Sequence, residues 1–198
     1  MGLLAGLLCL AFMGTTLARY SNQITIRNPF STAVSSAVLL EHYTPESVFL
    51  PGETIQKEPW FRNTGEVDLV LRLKVEETWL SEAQRPIDLE VSAVKKDWSD
   101  SFERDWVKIG PWYYYCPILR KAGESGCQTP IILEKLSLSK DCSNDSHGPD
   151  YSGQIYQLKL QAEAVQADQL SINTEWNLSG EEAGTERLQW KGLLKQAY

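Results

Sequence analysis

The clearest regularity in the chain lies between positions 66 and 75, where Val67, Leu69, Leu71, Leu73 and Val75 alternate with Glu66, Asp68, Arg72 and Lys74. A period of two puts the apolar set on one face of an extended, half-buried strand. A helix would scatter the same five residues around its circumference. The alternation returns in Tyr156, Leu158, Leu160, Ala162 and Ala164. Shorter runs predict strands in residues 19–28, in 34–43 up to Thr44-Pro45, from Ile55 to Phe61 and from Ile87 to Val94. Trp112 to Tyr115 reads as an aromatic strand, with Thr129 to Leu138 returning as its partner.

Turn residues punctuate these runs. Pro51-Gly52 is a tight turn, because Pro presets the first central position and Gly tolerates the second, and Asn63-Thr64-Gly65 is a second tight turn. Pro59 places its strand at an edge or a bulge. Ala122 to Gly126 turns the chain, Trp98-Ser99-Asp100 marks another turn, and residues 139–153 form a polar surface loop. From Trp176 onward the helical character is weak, so 176–198 is expected as a flexible tail. Eight to ten strands in one domain spanning 19–198 predict an all-β fold, a jelly-roll-like antiparallel β-sandwich with short helices or loops as insertions.

Met1 to Ala18 changes the picture, being apolar and small throughout and ending in Thr16-Leu17-Ala18. It reads as a signal peptide cleaved between Ala18 and Arg19, although no basic residue precedes Arg19. A membrane anchor is the competing reading, and Leu8 before Cys9 argues against a lipid-modified cysteine. The 26 acidic and 19 basic residues leave a net charge of -7, which argues against a nucleic-acid partner. Export makes a disulfide plausible among Cys116, Cys127 and Cys142. Cys116 with Cys127, across a turn-rich segment, is the first choice, and Cys127 with Cys142 is nearly as good.

Candidate chemistry is sparse. The only histidines are His42 and His147, with no HExxH pair, so the expectation is no enzyme and no cofactor. Asp141, Asn144, Asp145 and Asp150 supply hard oxygens within one loop, but without EF-hand spacing they read as a solvated loop. The aromatic run Trp112 to Tyr115 either offers two rings to a partner or divides them between core and sheet cover, and the second is favoured.

Several segments in order carry a resemblance: Pro51-Gly52 with Asn63-Thr64-Gly65 in PGETIQKEPWFRNTGEVDLVLRLKVEETW, Tyr113 to Tyr115 ahead of Gly123-Glu124-Ser125 in WYYYCPILRKAGES, and Glu163 to Asp168 in IYQLKLQAEAVQAD. This order resembles the TasA and camelysin-like family of secreted proteins of Gram-positive bacteria. The resemblance implies export through a dedicated signal peptidase of SipW type. It also implies a jelly-roll sandwich assembling into extracellular biofilm fibres, with an N-terminal strand completing a neighbour's sheet. The chain departs from the family in Arg19-Tyr20-Ser21, in its added cysteines and in its leader. The expected partners are further copies, related matrix proteins and the signal peptidase, with no small-molecule substrate.

Elementary sheet physics supplies a route to assembly, since an unpaired edge offers amides and carbonyls to any extended segment. Tyr20 to Asn28, with Ile24 and Ile26 on one face, is expected to be free after processing, with Tyr20, Ile24 and Ile26 as the donated positions. Head-to-tail addition does not close and gives filaments. A monomeric surface-binding module using the aromatic strand is the alternative, and a camelysin-type metallopeptidase a more distant one.

Overall fold

The two alternating runs become the two longest strands among the described residues, and they pair with each other. The computed structural model describes residues 18–27, 37–41, 48–142 and 149–194. Its strands are β1 (Ala18–Arg27), β2 (Ala37–Leu40), β3 (Val48–Phe49), β4 (Thr54–Gln56), β5 (Trp60–Asn63) and β6 (Leu69–Leu80). They continue as β7 (Pro86–Ile87), β8 (Val94–Trp98), β9 (Trp106–Ile109), β10 (Trp112–Tyr115), β11 (Leu133–Leu138) and β12 (Ile155–Gln166). Two short α-helices, α1 (Asp100–Asp105) and α2 (Gln169–Glu175), and four single-turn 3-10 helices complete the regular structure among the described residues. The turn expected at Trp98-Ser99-Asp100 is the start of α1, where the Ser99 hydroxyl accepts from the Phe102 amide at 3.1 Å, an N-cap.

The large sheet runs β3-β1-β12-β6-β10-β9, with β7 beside β6, and is faced by β4-β11-β8 and by β2-β5. The fold is an all-β sandwich, as the alternation predicts. β6 and β12 are antiparallel in unbroken register from Leu69↔Gln166 to Leu80↔Ile155. Leu71, Leu73 and Trp79 on β6 and Tyr156, Leu158 and Leu160 on β12 meet Phe61, Val94, Leu133, Leu136 and Leu138 from the facing layer. Each fully buried Leu contributes about 1.5–3 kcal/mol of transfer free energy. Trp79 lies edge-on to Tyr151 and Tyr156, at centroid distances of 4.9 and 5.3 Å, and its indole N–H donates to the Glu90 carbonyl at 3.1 Å. Charge also bridges the layers. Lys96 on β8 reaches Glu77 on β6 at 2.6 Å, and the Tyr156 hydroxyl donates to the same carboxylate oxygen at 2.7 Å.

The outer face of the large sheet carries a third layer, which corrects the expectation of a flexible tail. Asp168 caps α2 through the Ser171 amide at 2.8 Å, and the chain then folds back across β6, β9, β10 and β12. Trp176, Leu178, Leu188, Trp190 and Leu194 bury against Val70, Val107, Ile109, Tyr114 and Val165. The Trp190 indole N–H donates to the Tyr115 carbonyl at 3.0 Å, and the Gln189 amide donates to the Cys116 carbonyl at 2.9 Å. Gly184, at φ 98°, lies so close that a Cβ there would stand 3.0 Å from a Val107 methyl. Residues 195–198 lie outside the described residues.

A second correction concerns the aromatic strand. β10 pairs with β9 and β6, whereas β11, its expected partner, pairs with β4 and β8 in the opposite layer. The chain between them crosses the sandwich. Leu119 exchanges backbone hydrogen bonds with Leu69 at 2.8 and 2.9 Å on the large sheet, and by Cys127 the carbonyl accepts from the Asn63 amide of β5 at 2.8 Å. Pro117, which cannot donate to a ladder, follows the end of β10.

Burial of Tyr115 gives the fold an alkaline sensitivity. Desolvation, reinforced by the Asp105 carboxylate, pushes its phenol from 10.0 up to about 12. A group whose folded pKa is raised stabilises the fold fully below its unfolded pKa and loses that contribution as pH rises through the folded one. Stability should therefore fall between pH 10 and about 12, by on the order of 2 kcal/mol. Urea titrations across that range should show the slope, and Tyr115→Phe should flatten it.

Candidate functional site

The margin of the large sheet that carries the chain's leading strand is the candidate site. β12 lies between β6 on one side and β1 on the other. Its ladder with β1 is parallel and nine residues long, from Arg19↔Ile155 to Arg27↔Glu163. It is the only parallel pairing among the described strands, and it joins residues more than a hundred positions apart. Parallel ladders need a crossover rather than a hairpin, and here the crossover is most of the domain.

Register sets each predicted donor position opposite a core residue of β12. Tyr20 stands opposite Tyr156, Ile24 opposite Leu160 and Ile26 opposite Ala162, and all three partners are buried. The expectation that this segment is free is thereby corrected: it is a strand of its own subunit. The physical reason is the edge of β12, whose amides and carbonyls would otherwise go unpaired beside a dry core. The predicted processing residues are also in the strand. Ala18 pairs with Phe49 and Arg19 with Val48, both through β3, which lies on the side of β1 away from β12.

The cysteines do not form the expected bridge. Cys116, Cys127 and Cys142 are all free, so neither Cys116 with Cys127 nor Cys127 with Cys142 is paired. Cys116 packs into the outer layer with Tyr114 and Trp190, Cys142 into the inner core with Tyr151, and Cys127 lies at the β5 side of the crossing segment. Burial pushes the Cys116 and Cys142 thiols up, so both resist ionisation.

The aromatic strand is divided between the two faces. Tyr113 and Tyr115 join the inner core, and Trp112 and Tyr114 join the outer layer. Tyr114 and Tyr115 are buried and Trp112 and Tyr113 half-buried, so the four rings are divided between core and sheet cover. His42, Asn144, Asp145 and His147 lie outside the described residues, and Asp150 accepts from the Ser152 amide at 2.8 Å. Among the described residues no three His, Cys, Asp or Glu side chains gather as metal ligands, and no helix is long and apolar enough to cross a membrane.

Beyond the margin, two features escaped the pattern. Glu163, Arg72 and Tyr114 stand side by side on β12, β6 and β10. Arg72 donates to Glu163 at 2.6 Å and to the Tyr114 hydroxyl at 3.3 Å, with Trp112 and Trp176 over its guanidinium at 4.1 and 4.9 Å. At the end of the sandwich, an open cleft of about 300 Å³ is lined by Glu66, Asp68, Arg120, Lys121 and Gln166. Its Arg120 is held by Asp68 at 2.6 Å and Glu124 at 3.0 Å, so that cation is already neutralised by neighbouring carboxylates.

No family model, no curated protein and no solved structure matches the chain.

The described residues gather backbone pairing at a sheet margin and apolar packing on both sheet faces, and what that arrangement does best is hold strands together.

Proposed function

We propose that the chain is an exported structural subunit of an extracellular fibre or biofilm matrix, joined copy to copy by exchange of β1. The observation that carries this reading is the nine-residue ladder between β1 and β12. A terminal strand that closes a sheet in its own subunit closes the same sheet in a neighbour with identical contacts, so exchange costs little at equilibrium. Each copy then gives one strand and receives one, the contact is heterologous, and the product is a filament. The order of segments that resembles the TasA and camelysin-like family supports the same reading, with related matrix proteins as further partners.

A monomeric surface module is the second reading, favoured by the docking of β1 at home. Electron microscopy and sedimentation separate the two. The protein lacking Arg19 to Asn28 should form no fibres, and a synthetic peptide of residues 19–28 should shorten those of the intact protein. Undiminished fibres in both cases would sink strand exchange, and a mature protein that sediments as a monomer at every concentration would establish the second reading.

A further inference from the structure

The bond between Ala18 and Arg19 lies in a strand flanked on both sides. On one side Ala18 pairs with Phe49 and Arg19 with Val48, and on the other Arg19 pairs with Ile155. Phe49 is fully buried, which anchors β3 in the core. The turn that follows is fastened to β11: the Gly52 amide donates to the Leu138 carbonyl at 2.8 Å and the Leu138 amide to the Glu53 carbonyl at 3.1 Å. β3 is thus a short clasp with a fixed base.

Peptidases take their substrates as extended segments and pair with the backbone around the scissile bond, which requires a free strand edge there. At Arg19 both edges are occupied. We propose that the β3 clasp and β12 together mask the processing bond, so that cleavage by the signal peptidase has to precede closure of β1 into the sheet. The inference rests on the reading of Met1 to Ala18 as a cleaved leader. It also gives the order of events a physical cause. β12 begins at Ile155, far behind Arg19 in the chain, so during export the bond stays open until the C-terminal third has crossed. Contacts so distant in sequence form late. A chain that closes with its leader attached is locked in the uncleaved form, tethered by the leader and withheld from exchange.

The Arg19–Tyr20 bond, next to the processing bond and inside the same mask, is a trypsin site, so trypsin serves as the probe. In the folded full-length protein it should be cut at least about tenfold more slowly than in the same protein unfolded in urea, with the fragments timed by mass spectrometry. Val48→Pro, which weakens the pairing opposite Arg19, should raise cutting there about tenfold while fragments from within 54–194 appear no faster. Equal rates in the folded and unfolded wild-type protein would overturn the mask whatever the variant does. N-terminal sequencing of exported protein judges the leader separately: a mature terminus other than Arg19 removes the processing reading, while the trypsin rates still report whether the bond is covered.

Discussion

Trp190→Ala should lower the unfolding free energy by about 3–5 kcal/mol, the range for emptying a large buried aromatic site. Only 2 % of Trp190 is exposed. Its ring lies 6.1 Å from Trp176 and 6.2 Å from Tyr114, and its N–H satisfies the Tyr115 carbonyl. The substitution therefore loses apolar burial and aromatic packing and leaves a buried acceptor without its donor. A domain of this size has about 5–15 kcal/mol in total, so the variant should unfold at clearly lower urea. Stopping the chain after Glu175 should do more, because Val70, Val107, Ile109, Tyr114 and Val165 would then face water as one apolar patch, and the product should aggregate. A truncated protein with the wild-type urea midpoint would show that the third layer is ornamental.

That layer illustrates what the alternating pattern conceals. β6 and β12 were legible because each has one dry face, and period two is the signature of one dry face. The C-terminal layer has no period, since Trp176, Leu178, Leu188, Trp190 and Leu194 dock from irregular backbone and short turns. A clue existed in the breaks of the alternation. Val70 and Val165 are apolar at positions whose neighbours two residues away, Arg72 and Glu163, are charged, and they are direct partners in the ladder. Two valines on an otherwise polar face indicate that something covers that end of it.

The candidate site was half legible for a related reason. Local alternation identifies residues 19–28 as extended, and β1 is the strand it predicts. It contains nothing about which distant strand is the partner, or that the pairing is parallel, because that choice is made by the edge left open after β12 and β6 have paired. The same limit produced the false hairpin and the false disulfide. Neighbours in sequence are not neighbours in space here, because the segment from Cys116 to Cys127 crosses from one layer to the other.

The Arg72 cluster predicts a pattern of non-additivity. Glu163→Ala should cost about 3 kcal/mol, because a guanidinium with only 12 % of its side chain exposed would lose its carboxylate while remaining between Trp112 and Trp176. Adding Arg72→Met should restore much of the loss, since Met fills the space between the indoles without a charge to satisfy, and paired removal of a buried ion pair is often close to neutral. The double variant should therefore be more stable in urea than Glu163→Ala alone, the reverse of what two independent contacts would give. Additive losses would mean that Arg72 is well solvated without Glu163. In that case the indoles, rather than the charge pair across β6 and β12, would be what fastens the outer layer to the sheet.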